Sequence, residues 1–401
     1  MKSRIPVFLG VFTVMALSNA IVPVLPGLAE GTVAQSALYS SYFFGALILV
    51  LPAGILADRI GELPLIRAGL LLTTLSGVLL LASSSSYMLL FSRFAEGFGA
   101  GLFVASGLAF LNARPDDARG SGIFLAMLNV GLVVGLIGTG WIVDMTGDRY
   151  AGVMLFTVLS LLPLLASMLM KPDRETSRRG EAAAGSGHSG TEGNPGGKSD
   201  LSRNTPTEPE TFREILARSG RVIRQYFWLW VSAVIMIGIT GALTAIYPQF
   251  SGLSPAIIGL QIAAMNVSTA VAVLIVPRAN LHPITAIRVS AILMAGAVLL
   301  SFYTPWGFIP VGFLAGVVMI GQLTFLSRVE PRQGAVMGLF NVASYGGMTI
   351  LPFIAGVVAQ EVSFFAAFAT SMLSALFIAA TIGRCGCSDP GKKRDGRKTG
   401  D

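Results

Sequence analysis

The chain has 401 residues, of which 53% are hydrophobic and 12% are charged, and its mean hydropathy is +0.71. Soluble proteins carry about 25% charged residues, so this composition excludes an ordinary soluble domain and indicates a protein embedded in lipid. The formal net charge of +7 does not indicate nucleic acid, because the sequence has no basic stripe with interleaved aromatic residues.

Twelve apolar segments are long enough to cross a bilayer, which takes about 20 residues. They span approximately 5–27, 36–56, 65–83, 88–111, 121–143, 151–170, 227–248, 255–276, 285–303, 307–326, 334–359 and 363–383. The first segment resembles a signal peptide, but its apolar character continues past Ala20, so we interpret it as an uncleaved first helix. The predicted fold is therefore all-α, with twelve transmembrane helices.

Basic residues are sorted between the gaps that separate these segments. All 28 Lys and Arg residues except Arg93 and Arg149 lie at the termini, in alternate gaps or at the helix ends beside them. The positive-inside rule assigns that side of the membrane to the cytoplasm. The sequence thus predicts a multi-pass protein of the plasma (inner) membrane with both termini cytoplasmic.

The longest gap divides the chain into four predicted regions. These are an N-terminal six-helix bundle (1–170), a cytoplasmic linker (171–226), a C-terminal six-helix bundle (227–384) and a cytoplasmic tail (385–401). The middle of the linker is rich in Gly and Ser, which is typical of a flexible tether. Near residues 211–225, a capping box at Thr211 and Glu214 precedes apolar and basic residues at helical spacing. This pattern predicts a basic amphipathic helix on membrane lipid.

The two halves contain a weak internal repeat. Three residues of the fifth segment recur in the eleventh at a constant offset of 212 residues (334 − 122): Gly122 and Gly334, Asn129 and Asn341, Gly135 and Gly347. This offset equates the fifth helix with the eleventh, as duplication of a six-helix unit requires. Two such units have the same orientation and are related by an axis along the membrane normal.

A short motif, Gly54-Ile-Leu-Ala-Asp58-Arg59-Ile-Gly61, lies between the second and third segments. It resembles the signature loop of the major facilitator superfamily, G-x-L-A-D-R-x-G-R-K. The resemblance covers nearly the whole chain and implies two pseudo-symmetric six-helix bundles. It also implies that Asp58, with Gly54, Arg59 and Gly61, forms a gate against the start of the eleventh helix, where the helix dipole favours an anion. The alternative is a solvated loop carboxylate.

A second motif lies in the fourth segment. Its sequence, Arg93-Phe-Ala-Glu96-Gly-Phe-Gly-Ala-Gly, is similar to the family's R-x-x-Q-G-x-G-A-A, a motif that resembles those of exporters. The fifth segment departs from the family's antiporter motif, because the proline is absent and Thr139 replaces a glycine. This departure favours the alternative of uptake or facilitated diffusion.

Arg93 and Glu96 are the only charged pair inside a predicted span, and their spacing places them on one helical face. Ionisable residues inside a membrane are costly and tend to face a cavity. Low dielectric disfavours a charged carboxylate, while a nearby arginine favours it. If transport is coupled to protons, Glu96 is therefore the predicted proton carrier. Arg93 lies only about 7 Å from the outer end, so it could instead extend to the outer surface.

The resemblance further implies that helices 1, 4, 7 and 10 line a central cavity. The polar side chains that they offer are Ser18, Asn19, Thr240, Thr244, Tyr247, Gln322 and Thr324. Helices 5, 8 and 11 add Asn129, Gln261, Asn266, Asn341 and Tyr345. Each of these could instead form a hydrogen bond between helices, worth about 1 kcal/mol or less. For Asn129 and Asn341, close helix packing is the expected role. A mildly polar cavity suits a neutral or amphipathic solute.

The leading prediction is a secondary active transporter that exports a small neutral or amphipathic molecule by alternating access, coupled to protons. The alternatives are an uptake permease or uniporter of the same fold, and a non-transporting membrane sensor or scaffold. An enzyme is not predicted, because the sequence offers neither a nucleophile–base set nor metal-ligand spacing, and no cofactor is expected. The expected partners are a small-molecule substrate, protons and membrane lipid, and the protein is expected to be a monomer that does not bind nucleic acid.

Overall fold

A computed structural model describes residues 4–83, 85–112, 118–170, 220–221, 223–279, 281–329 and 333–384. Within these ranges, all regular structure is helical, and twelve helices are long and apolar enough to cross a membrane. The predicted all-α fold with twelve transmembrane helices is therefore confirmed.

The twelve helices follow the predicted segments in order. They are α1 (Ile5–Ala20), α2 (Thr32–Ile60), α3 (Glu62–Ala82), α4 (Ser86–Asn112), α5 (Ala118–Thr146), α6 (Ala151–Met168), α7 (Phe227–Ser251), α8 (Pro255–Ile275), α9 (Pro283–Tyr303), α10 (Phe308–Val329), α11 (Gln333–Glu361) and α12 (Phe364–Thr381). The first span continues beyond α1 through a 3₁₀ turn at Val22–Val24 and a short helical turn at Leu25–Leu28. Pro23 and Pro26 interrupt the α-helical hydrogen bonds there, since proline has no backbone N–H.

Two equivalent glycines show how the duplicated halves fold. A Cβ at Gly135 of α5 would overlap the carbonyl oxygen of Ala16 in α1, and one at Gly347 of α11 would overlap that of Val234 in α7. Each glycine thus lets its helix approach the first helix of its own half. The 212-residue repeat therefore corresponds to one packing contact made twice, once in each six-helix bundle.

The link between α2 and α3 is shorter than predicted. The sequence suggests a polar gap over 58–64, but α2 continues to Ile60 and α3 begins at Glu62, so Gly61 alone connects them. Gly61 has φ +85°, a conformation that is strained for residues other than glycine. Asp58 consequently lies in the last turn of α2 rather than in a loop.

Some predicted regions lie outside the described residues. These are most of the linker, the C-terminal tail and most of the expected amphipathic helix near 211–225. Residues 220, 221 and 223–225 of that segment are helical and exposed, and the amphipathic helix stays a prediction.

Candidate functional site

A cavity of about 180 Å³ lies between the two bundles. Seven helices line it: α1, α2, α4 and α5 of the N-terminal bundle and α7, α8 and α11 of the C-terminal bundle. The lining residues are Met15, Ser18, Asn19, Tyr39, Tyr42, Phe43, Arg93, Leu128, Leu132, Thr240, Thr244, Met265, Asn266, Tyr345 and Met348. Most of this surface is aromatic, aliphatic or thioether, with a few hydroxyl and amide groups. Such a combination is typical of a small-molecule site, in which apolar area gives affinity and a few polar groups fix orientation.

Aromatic residues of α2 form one wall of the cavity. Tyr39, Tyr42 and Phe43 share a helical face because they are three and four residues apart. The Phe43 ring lies 5.0 Å from that of Tyr39 and 5.1 Å from that of Tyr42, measured between centroids. Across the interface, Phe43 lies 6.1 Å from Tyr345 of α11. A continuous set of rings therefore connects the two bundles beside the cavity.

Arg93 and Glu96 form a buried ion pair on α4. Arg93 Nη1 lies 2.5 Å from Glu96 Oε2, and each residue is only 1% exposed. Arg93 therefore does not extend to the outer surface, and that alternative from the sequence is wrong. Arg93 lines the cavity, whereas Glu96 is not among the described lining residues. The pair thus faces the cavity through its arginine, with the carboxylate behind.

Two further contacts fix the guanidinium of Arg93. Its Nη2 donates to the carbonyl oxygen of Ser18 at 3.1 Å, and its Cζ lies 4.8 Å from the ring centroid of Tyr42. The Ser18 carbonyl is free to accept because α1 gives way to a 3₁₀ turn shortly after it. Arg93 Nε and Glu96 Oε1 are buried without a hydrogen-bond partner among the described residues. The ion pair is accordingly made through one bond and not through the two parallel bonds that arginine and carboxylate can form.

The two bundles contact each other closely at one end, which we call the closed end. There Gln35 of α2 donates from Nε2 to Gln249 Oε1 of α7 at 2.6 Å, and Gln360 of α11 accepts from the Val33 amide at 3.1 Å. These hydrogen bonds join neutral amide groups. They close the cavity between the bundles on the side of the connections at 29–31 and 252–254.

Small residues bring four helices together at the same closed end. A Cβ at Gly140 of α5 would overlap the carbonyl oxygen of Pro255 in α8, and one at Gly259 of α8 would overlap that of Leu136 in α5. A Cβ at Gly356 of α11 would overlap the Ser36 side chain of α2 and the carbonyl oxygen of Thr32. Glycine permits this backbone approach, so the closed end is sealed by direct helix contact.

The opposite end, which we call the open end, is exposed along the same faces. Gly122, Leu125 and Asn129 lie on the face of α5 that carries Leu136 further along, because their spacing alternates between three and four residues. Nothing lies within 4 Å of a Cβ at Gly122, and Leu125 is 50% exposed. Asn341 of α11 is exposed as well. The expected close packing of Asn129 and Asn341 is therefore wrong; Asn129 Nδ2 donates to the Leu125 carbonyl of its own helix at 2.8 Å.

The predicted gate residues lie at the end of α2. Gly54, Asp58 and Arg59 are within the helix, but their side chains are outside the described part of the structure. Gly61 is described, and its positive φ sets the sharp change of direction into α3. The gate role of the four residues stays a prediction.

Of the seven predicted cavity residues, four lie together at the cavity: Ser18, Asn19, Thr240 and Thr244. The other three lie elsewhere. Gln322 is fully buried, and its Nε2 donates to Ser232 Oγ at 2.9 Å, so it forms the alternative hydrogen bond between helices. Tyr247 is 3% exposed and its ring packs 4.5 Å from that of Phe308. Thr324 is half-buried and is not one of the lining residues.

The sequence reasoning missed Tyr39, Tyr42 and Phe43. Their helix was not among those expected to line the cavity, although aromatic residues at i, i+3 and i+4 in a membrane span mark one face that differs from the aliphatic rest. Met15, Met265 and Met348 were missed too, since a methionine in an apolar helix carries no comparable signal.

Comparison with known proteins identifies the family. The sequence model of the Major Facilitator Superfamily matches residues 7–352. The nucleoside transporter NupG has a solved structure that superposes with a TM-score of 0.74 at 11% identity, covering 96% of this chain and 100% of that one. At such identity the likeness shows the fold alone.

Two curated relatives share shorter segments. The multidrug resistance protein MdtL of Shewanella oneidensis is 38% identical over 91 residues, which is 23% of each chain. The methylenomycin A resistance protein of Bacillus subtilis is 31% identical over 134 residues, or 32% of this chain and 28% of that protein. The chain thus spans less than a third of the length of the curated relatives it matches.

Proposed function

Because this chain belongs to the Major Facilitator Superfamily, a family of membrane transporters and not of enzymes, we propose that it is a secondary active transporter. The proposed activity is export of a small neutral or amphipathic molecule by alternating access, coupled to protons. The observation that carries this proposal is the cavity between the bundles, which is lined by the arginine of a buried ion pair and is sealed toward one end only.

Alternating access requires two halves that separate at one end while they meet at the other. The closed end has glycine contacts and two amide hydrogen bonds between the bundles, and the α5 face that continues from it is exposed at the open end. Rocking of the bundles about the cavity would exchange the two ends. Because the basic residues mark the cytoplasmic side, we propose that the open end faces the cytoplasm. We also propose that the protein lies in the plasma membrane with both termini in the cytoplasm.

Export is supported by the named relatives. MdtL and the methylenomycin A resistance protein are described as resistance proteins, and removal of a toxic compound from the cell is one way to give resistance. The fourth helix carries the Arg93 motif that resembles those of exporters. The altered antiporter motif around Thr139 favours a uniporter or uptake permease as the second candidate.

Proton coupling is proposed for Glu96. A buried carboxylate that is held by one hydrogen bond from Arg93 can change its protonation when its surroundings change. Asp58 and its neighbours Gly54, Arg59 and Gly61 are proposed to hold the gate near the open end. Both proposals extend the resemblance to residues of this chain, and the small-molecule substrate, protons and lipid are the proposed partners.

Reconstitution tests the transport proposal. The purified chain is placed in lipid vesicles with an imposed pH gradient, and a panel of neutral, cationic and anionic solutes is assayed for movement. Export coupled to protons predicts accumulation of a solute against its gradient, and this accumulation collapses when the pH gradient is dissipated. Movement that ignores the pH gradient would support the uniporter, and no movement of any solute would support the sensor or scaffold.

The Glu96→Gln variant tests the coupling residue in the same vesicles. We expect it to move the solute down its gradient but to lose the dependence on pH. Glu361→Gln, at the exposed end of α11, is the matched control and should behave as the wild type. A persistent pH dependence in Glu96→Gln would exclude Glu96 as the proton carrier.

A further inference from the structure

We propose that the cavity binds a one-ring aromatic molecule with an uncharged polar group, rejects the corresponding cation, and accepts the corresponding anion only together with a proton on Glu96. This inference rests on the transport part of the proposed function, because it names the substrate class of the same cavity. It departs from proton-driven export, since it links a proton to an anionic solute in the same direction and links none to a neutral solute. Its elements are the size of the cavity, its rings, and the balance of charge at Arg93 and Glu96.

The size and the rings of the cavity select one aromatic ring. An engineered apolar cavity of roughly 150 Å³ in another protein holds one benzene molecule, and the present cavity is about 180 Å³. Tyr42, Phe43 and Tyr345 supply ring faces and edges from both bundles. Edge-to-face and offset-stacked contacts with these rings stabilise an aromatic ligand beyond the effect of the area that it buries.

Neutral polar groups surround this aromatic wall. Thr240 and Thr244 donate their hydroxyl protons to carbonyl groups of their own helix at 2.7 and 2.8 Å, which leaves their oxygen lone pairs as acceptors. Asn19 and Asn266 offer amide donors and acceptors at the lining. A ligand with an uncharged polar substituent can therefore form hydrogen bonds without bringing a charge into the site.

The charge of the site is already balanced. Arg93 at the wall and Glu96 behind it are opposite charges in one ion pair. An added anion would leave one negative charge without compensation in a buried site, which is costly. A proton on the Glu96 carboxyl group removes that excess, so that Arg93 then has one anionic partner as before.

A cation meets the opposite situation. The face of an aromatic ring attracts cations within about 6 Å, but the guanidinium of Arg93 already lies 4.8 Å from the Tyr42 ring. A cationic ligand at these rings would be next to a fixed positive charge, while the balancing Glu96 lies behind Arg93. The rings therefore do not form a cage for cations as long as Arg93 is in place.

Glu96 is the group whose protonation can respond. The titratable side chains that face the pair from α2 are Tyr39 and Tyr42, and Tyr345 of α11 lies next to Tyr42. Tyrosine is uncharged between pH 6 and 8. α1 contains no charged residue, and the described charged side chains of α3 and α5 (Glu62, Arg67 and Asp144) lie within two turns of a helix end. Binding of an anion at these pH values is consequently linked to Glu96.

Three probes with the same ring test the inference on the full chain in detergent micelles. They are benzenesulfonamide (neutral), benzenesulfonate (an anion at every pH used) and benzylammonium (a cation that is smaller than the other two). Dissociation constants are measured by ligand-observed NMR titration at pH 6 and pH 8. We expect equal binding of the sulfonamide at both pH values and at least tenfold weaker binding of the ammonium. The sulfonate should bind up to about 100-fold more tightly at pH 6, since one linked proton gives at most tenfold per pH unit.

The Glu96→Gln variant separates linkage from other effects of pH. It should bind benzenesulfonate at pH 8 as tightly as the wild type does at pH 6, and it should lose the dependence on pH. Glu361→Gln should keep that dependence. If Glu96→Gln does not fold, calorimetry of the wild type in buffers of different ionisation enthalpy gives the number of protons taken up. We expect about one proton per sulfonate and none per sulfonamide.

Each of three results would overturn the inference. They are binding of benzylammonium as tight as that of the sulfonamide, no binding of any of the three probes, and sulfonate binding without proton uptake. The vesicle assay keeps the two proposals apart. If a solute moves while no probe binds, only the inference on the cavity fails. If the probes bind as expected while no solute moves, transport fails and the binding site stands.

Discussion

The N-terminal and C-terminal bundles share one architecture but differ in the chemistry that they bring to the interface. Gly135 of α5 and Gly347 of α11 make the same contact with the first helix of their own half. The buried polar pair of α4 is ionic, Arg93 with Glu96, whereas that of α10 is neutral, Gln322 with Ser232 of α7. Duplication thus preserved the packing of the halves and not their charges.

This difference predicts separate tasks for the two bundles. An ion pair in a low-dielectric interior is costly to form and costly to break, so it suits a site whose charge must change during a cycle. A neutral amide–hydroxyl bond between transmembrane helices contributes about 0.6 kcal/mol and does not depend on pH. We therefore expect the N-terminal bundle to sense protons and the C-terminal bundle to supply neutral contacts for the solute.

The largest expected effect concerns the links between the second and third helix of each half. The N-terminal link follows Asp58, whereas the C-terminal link contains Arg278 and has no acid. If Asp58 holds the gate through the dipole of α11, Asp58→Asn abolishes transport in vesicles, and Arg278→Gln leaves the initial rate close to that of the wild type. Size-exclusion profiles and unfolding midpoints should not change in either variant. Full activity of Asp58→Asn would refute the gate role.

The second effect compares the two buried polar pairs. Removal of one partner from a buried ion pair costs about 3–5 kcal/mol, so Arg93→Gln should strongly destabilise the protein. The double variant Arg93→Gln with Glu96→Gln should recover most of that loss, because no charge is then left unpaired. In the C-terminal bundle, Gln322→Leu should cost about 1 kcal/mol or less.

Denaturant unfolding in micelles, followed by tryptophan fluorescence, measures these three stabilities. The comparison fails if Gln322→Leu costs as much as Arg93→Gln, or if the double variant is no more stable than the single one. Either result would mean that size and packing, and not charge, distinguish the two pairs.

The helix count could be predicted from the sequence because it rests on a property that the bilayer imposes, and the duplication because three residues recur at a constant offset. Apolar length defines a span, and the sorting of basic residues fixes how many spans there are. The helix ends were harder to predict from the sequence. α2 continues to Ile60 because a helix can extend beyond the hydrocarbon layer, where a charged residue such as Asp58 is not costly. Hydropathy measures the apolar part of a helix and not its full length.

The cavity was predicted only in part, for a related reason. In a membrane helix both the lipid-facing and the protein-facing sides are apolar, so periodicity does not show which side faces the cavity. Gln322 illustrates the consequence, since its partner Ser232 lies 90 residues away in the chain and determines where the amide points. Tyr42 was overlooked because its role depends on the neighbouring Arg93 of another helix.

The smallest effect tests the packing that the bundles share. A methyl group at Gly135 or Gly347 would overlap a backbone carbonyl oxygen of the adjacent helix, and overpacking of this kind costs about 1–3 kcal/mol. We expect Gly135→Ala and Gly347→Ala to lower the free energy of unfolding by similar amounts. Equal costs would confirm that the two positions are structurally equivalent.

Matched controls exist in the same two helices. Nothing lies within 4 Å of a Cβ at Gly122 of α5 or at Gly346 of α11. Alanine at these positions should leave stability unchanged or raise it by up to about 1 kcal/mol, since glycine is the weaker helix former. If Gly346→Ala destabilises as much as Gly347→Ala, flexibility of α11 and not contact with Val234 is the reason for glycine. A large loss at Gly135 with none at Gly347 would show that the halves have diverged in packing as well as in charge.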